Sequence, residues 1–187
     1  MNAVQVQELA IPEVKLLRPK LHEDARGYVT EVINEKRMQE LGLPSRFAQE
    51  NQSMSRQAGT LRGLHFQKSP DAQAKLVRVL RGKIFDVAVD VRPNSPTYGR
   101  HASAILSGDE VVQMLIPEGF AHGFCTLTDD TIVQYKVTAF YAPASEAGIL
   151  WNDPDLGIAW PVAPEAALLS PKDGLLPRLK DLPPLTW

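Results

Sequence analysis

The chain lacks the features that would tie it to a disulfide scaffold, a membrane or nucleic acid. Its 187 residues contain one cysteine, Cys125. An intramolecular disulfide is therefore excluded, and a reducing compartment fits. No apolar run approaches the ~20 residues that cross a bilayer. The opening MNAVQVQELAIPEVKLL has no basic stretch followed by a long apolar one, so no secretory leader is expected. The expectation is a cytoplasmic protein with no membrane contact. Positive charge is not in excess either: 20 Lys and Arg stand against 22 Asp and Glu, for a net charge of −2. With no global basic field, nucleic acid is not the expected partner, and an anionic small molecule would need a local cluster of cations. Internal repeats, low-complexity tracts and linkers are also missing, so residues 1–187 read as a single domain with an N-terminal arm and a proline-rich C-terminal tail.

What the sequence does have is punctuation. Twelve glycines and 15 prolines separate short apolar runs, the pattern of many strands joined by turns. Residues 75–91, KLVRVLRGKIFDVAVDV, give two period-two stretches around Arg81-Gly82 and read as a hairpin. Residues 100–106 and 111–116 read as strands separated by Ser107-Gly108-Asp109-Glu110. In 131–140, Val133, Tyr135 and Val137 share one face. A short helix is expected near 35–41, capped by Asn34, with Met38 and Leu41 packing inward. The tail from 161 is expected to wrap the surface. The class is mainly β with a few short helices, and a closed or sandwich-like barrel is favoured because it hides strand edges.

Four residues could carry chemistry, and each also has a plain structural reading. His65 lies in the apolar stretch GTLRGLHFQ (59–67), either as a hydrogen-bonded core histidine or as a general base beside a phosphate-binding arginine, Arg62. Simple alternation would put Arg62 and His65 on opposite faces; a bulge at Gly63 would bring them together. His122, flanked by glycines in IPEGFAHGF (116–124), is structural when considered alone. Lys75 shares a face with Val77 and Val79, so its ammonium either reaches water at the strand end or sits in a polar pocket. Tyr135 is either a core tyrosine with a satisfied hydroxyl or a general acid. A metal is not expected. Metal-binding barrels of this kind pair histidines two apart with a nearby glutamate, whereas here the position two after His65 is Gln67 and no glutamate follows His65 until Glu110.

Taken in order, the motifs resemble the dTDP-4-dehydrorhamnose 3,5-epimerases. The resemblance runs from about Asp24 to about Pro177. It rests on Asp24-Ala25-Arg26-Gly27, Gln49-Glu50-Asn51, LRGLHFQ (61–67), AQAKLVRV (72–79), FDVAVDVR (85–92), SPTYG (95–99), IPEGFAHGF (116–124), LWNDPDLGIAWP (150–161) and Ser170-Pro171-Lys172-Asp173. Gln52 and Pro171 depart from residues common in the family. The resemblance implies a double-stranded β-helix, or cupin-like jelly-roll barrel, no cofactor and a homodimer in which the Arg26 segment reaches the partner's pocket. It implies that His65 is the proton acceptor, Tyr135 the proton donor, Asp173 the aspartate paired with the histidine, and Lys75 the lysine near the sugar ketone. Arg26, Glu31, Gln49, Glu50, Asn51, Arg62, His122, Glu146 and Lys172 match substrate-binding positions.

These residue types suit the implied reaction. A ketone at sugar C4 acidifies the protons on C3 and C5, because each carbanion delocalises into it as an enolate. Inversion needs a base on one face of the ring and an acid on the other. Imidazole, with an ordinary pKa near 6.5, suits the first role, and a carboxylate behind it would orient the ring. An ammonium beside the enolate oxygen would stabilise it. Three rivals stand beside this reading: a single-centre 3- or 5-epimerase, a metal-dependent cupin enzyme and a non-catalytic sugar-binding barrel.

Overall fold

The computed structural model describes residues 4–185, so the first three and last two residues of the expected single domain lie outside the described residues. The strands are β1 (Val4–Glu8), β2 (Lys15–Pro19), β3 (His22–Asp24), β4 (Gly27–Val29), β5 (Gln49–Ser55), β6 (Leu61–Gln67), β7 (Lys75–Arg81), β8 (Lys83–Asp90), β9 (His101–Ser107), β10 (Gln113–Ile116), β11 (Phe120–Thr126), β12 (Thr131–Val137) and β13 (Glu146–Gly148), with one helix, α1 (Glu35–Glu40). Three short 3-10 turns punctuate the C-terminal segment. Two antiparallel sheets carry the fold, one ordered β1-β2-β10-β7-β12-β5 and the other β13-β6-β11-β8-β9, and β3 with β4 forms a separate hairpin. This is the mainly β, jelly-roll arrangement that the sequence predicts.

The expected 75–91 hairpin is corrected. The chain does turn at Arg81-Gly82, but β7 pairs with β10 and β12, while β8 pairs with β11 and β9. The turn is a corner between sheets. Gly82 makes it with φ of +83°, where an added Cβ would meet the Thr131 and Thr128 hydroxyls at 2.4 and 2.5 Å. Alternation identifies strands; it does not identify their partners.

Facing side chains of both sheets build one core from Leu16, Val77, Val79, Ile84, Ala88, Ala102, Leu106, Met114, Ile116, Phe120, Phe124 and Val133. The outer face of the five-stranded sheet is covered as well. Leu64, Phe66, Val87 and Val89 pack there against Ile149, Leu156 and Leu179 of the C-terminal segment. β8 is therefore buried on both faces, and the polar half of its alternation, Asp86 and Asp90, is fully buried. Helix α1 covers the other sheet by setting Met38 against Leu17, Leu76 and Leu115. Asn34 caps it, its side chain accepting from the Arg37 N–H at 3.1 Å. Leu41 does not pack inward: it is the C-cap residue and is 38% exposed.

Candidate active site

Strand β6 brings the first functional side chains together. Its pairing with β11 matches His65 to His122 and Arg62 to Phe124, and the register shifts between them. Two residues of β6, Gly63 and Leu64, thus oppose Gly123 alone, which is a bulge. Gly63 has φ of +124°, and a Cβ there would lie 2.6 Å from Gly123 Cα. No side chain fits. The bulge changes the parity of β6, and Arg62 and His65 line the same cavity of about 670 Å³ between the sheets.

The imidazole of His65 is held from behind. Its Nε2 lies 2.7 Å from Asp173 Oδ1, and Asp173 is almost completely buried. Ser170 fixes Asp173 in turn, its Oγ accepting from the Asp173 backbone N–H at 3.1 Å. With Nε2–H donated to a carboxylate, Nδ1 keeps the lone pair that abstracts a proton. Burial pulls the His65 pKa below its ordinary value, and Asp173 opposes that pull. The ring therefore remains a neutral base to lower pH than a free imidazole would.

Lys75 enters from the facing sheet. It is buried, and its ammonium donates to the His65 carbonyl at 3.0 Å. Burial lowers its pKa to about 8, with Asp86 and Glu146 working in the opposite direction. Tyr135, on β12 of that same sheet, also lines the cavity. Burial raises its pKa and Arg62 moderates the shift, so the hydroxyl holds its proton at neutral pH. Base and acid thus approach the cavity from opposite sheets.

His122 lies beside His65, across the β6–β11 pair, and forms a second imidazole–carboxylate contact: Nε2 is 2.7 Å from Asp86 Oδ1. Glu146 forms the rim. Its Oε2 accepts from Lys172 Nζ at 2.6 Å and from the Tyr141 hydroxyl at 2.9 Å. The Lys172 bond above all holds its carboxyl below the usual range. Gln49 and Asn51, on the inward face of β5, complete the polar lining.

Three residues matched to substrate-binding positions are not in the cavity wall. Glu50 alternates away from Gln49 and Asn51 and pairs with Lys136. Glu31 pairs with Arg37 at 3.0 Å. Arg26 sits at the tip of the β3–β4 hairpin, its side chain 90% exposed and paired with Asp24. Conversely, the sequence reading did not single out Asp86, Gln67, Tyr141 or Ser170. Asp86 had one usable signal, a charge inside the apolar run IFDVAVDV.

Known proteins resemble this chain over most of its length. The family model described as dTDP-4-dehydrorhamnose 3,5-epimerase matches residues 8–181. The dTDP-4-dehydrorhamnose 3,5-epimerase of Sinorhizobium fredii is 49% identical over 98% of this chain and 93% of its own length. A crystal structure of the Bacillus anthracis enzyme of that name, with TDP and PPi bound, has a TM-score of 0.90 and 49% identity, covering 94% of this chain and 99% of that one. The structure of dTDP-6-deoxy-D-glucose-3,5-epimerase from Legionella pneumophila, in complex with dTDP-4-keto-L-rhamnose, gives 0.90 at 45% identity, covering 96% and 95%.

Proposed function

The chain belongs to the dTDP-4-dehydrorhamnose 3,5-epimerase family, and from that membership we propose how its own residues perform the reaction. The enzyme inverts C3 and C5 of dTDP-4-dehydro-6-deoxy-D-glucose to give dTDP-4-dehydro-L-rhamnose. His65 Nδ1 removes the proton at each centre, forming the imidazolium that Asp173 stabilises. The electron pair moves into the C4 carbonyl, and the Lys75 ammonium meets the resulting enolate oxygen. Tyr135 returns a proton to the carbon from the opposite face. His65 then loses its proton to solvent, and Tyr135 regains one. Each inversion is proton-neutral and needs no oxidant. Arg62 holds the diphosphate, where a planar guanidinium engages two oxygens at once. Gln49, Asn51, His122, Glu146 and Lys172 contact the rest of the substrate.

One observation carries this reading: the His65–Asp173 pair at 2.7 Å opens on a cavity that Lys75 and Tyr135 enter from the facing sheet. The test is incubation with dTDP-4-keto-6-deoxyglucose in deuterated water. Deuterium is expected at both C3 and C5. Label at one carbon alone would make the protein a single-centre epimerase, and label at neither would refute the reading.

The proposal takes residues 1–187 as one domain, located in the cytoplasm and working as a homodimer. Arg26 supports the last point. It stands outside its own cavity, on a hairpin that also exposes Tyr28 and Val29. In a dimer the hairpin of one protomer reaches the cavity of the other. Mixing Arg26→Ala with His65→Ala should then restore activity, because each mixed dimer holds one site with both residues intact. If the mixture remains as inactive as its components, Arg26 does not act across the interface.

A further inference from the structure

Among the buried acids that the mechanism above leaves unused, Asp86 is the one with an unpartnered oxygen among the described residues. Asp86 is fully buried on β8, between Ile84 and Ala88, on the face turned to the opposite sheet. Its Oδ1 accepts from His122, while Oδ2 has no hydrogen-bond partner among the described residues. Such an oxygen lowers stability, since desolvating a charged group without a partner is costly. A well-packed apolar residue would serve the fold alone better. Its neighbours suggest a purpose. His122 and Lys75 both line the cavity, and Lys75 shares its strand face with Val77 and Val79, which pack with Ile84 and Ala88 in the core that Asp86 faces.

We propose that Asp86 is a positioning residue for the epimerisation: it fixes the His122 ring at the cavity wall and supplies the negative charge that keeps Lys75 an ammonium. The inference rests on the epimerase reading. The titratable and charged groups around Lys75 are Arg62 and His65 of β6, Asp86 of β8, His122 of β11, Tyr135 of β12, Tyr141, Glu146 of β13, and Lys172 and Asp173 of the C-terminal segment. The acids acting on Lys75 are Asp86 and Glu146. Glu146 is already engaged by Lys172 and Tyr141. Asp86 meets the His122 ring through Oδ1 and leaves Oδ2 unpartnered among the described residues, so part of its charge remains to act on the lysine. With Nε2–H bound to Asp86, His122 offers Nδ1 to the substrate in one orientation.

The experiment compares the pH profile of kcat/KM for the wild-type enzyme and Asp86→Asn. The wild-type profile is expected to fall on the alkaline side near pH 8, where Lys75 loses its proton. In Asp86→Asn that limb should move down by about one pH unit, a tenfold change in the ionisation equilibrium of one group. His122→Asn keeps the carboxylate. It should raise KM while leaving the alkaline limb in place. An active wild-type enzyme whose alkaline limb is the same in Asp86→Asn would overturn the inference and leave the epimerase reading standing. If Asp86→Asn does not fold, carboxyl 13C NMR of the wild-type protein decides. An ionised Asp86 from pH 6 to 9 supports the proposal, and a protonated one refutes it.

Discussion

Replacing His65 with alanine should reduce deuterium uptake at C3 and C5 by about 10²–10⁴-fold, the usual contribution of a positioned acid–base group. Binding of dTDP should stay within a few-fold of wild type, since the imidazole acts on the sugar ring and not on the nucleotide. This pairing of outcomes is diagnostic. Asp173 and Lys75 both touch His65, so a collapsed site would lose binding as well as exchange. Exchange retained at near wild-type rate would remove His65 from the role of base.

Tyr135→Phe separates the two halves of the reaction. The variant keeps the ring and its packing and loses only the hydroxyl. Net inversion should fall by about 10²-fold or more. Proton exchange with solvent should fall much less, because His65 can remove a proton and return one to the same face. The contrast follows from placement: His65 is on β6 and Tyr135 on β12, in different sheets. Equal losses in inversion and exchange would mean that Tyr135 does not donate the proton. The two variants can be compared on the same substrate by following deuterium and stereochemistry together.

Much of the secondary structure was legible because strands leave a period-two trace. The trace fails at partners and at interiors. Val77 and Val87 belong to adjacent strands in sequence yet pack in different clusters on either side of the five-stranded sheet. Leu41 fits the apolar spacing of its helix but lies where the helix stops, and so stays exposed. Asp86 sits on what a simple alternation would give to solvent; C-terminal cover on the outer face makes both sides of β8 interior. The bulge that joins Arg62 to His65 was readable from Gly63, since only glycine tolerates that approach. The separation of Glu50 from Gln49 and Asn51 follows directly from alternation. The His65–Asp173 contact has no local trace, because the two residues are 108 positions apart. A family resemblance pointed to it; neither hydropathy nor spacing could.

That separation has a consequence for how the enzyme comes into being. The C-terminal segment is stitched to the start of the strand it serves, where Leu61 N–H donates to the Leu168 carbonyl and Leu168 N–H to that of Gly59, and it is tied to itself where Leu150 N–H donates to the Pro177 carbonyl. All thirteen strands of the described residues precede Ser170 in the chain. During translation the sheets can therefore assemble around His65 while its carboxylate is still within the ribosome. The sheets can form first, and the base gains its carboxylate only when one short stretch of nascent chain settles along their edge.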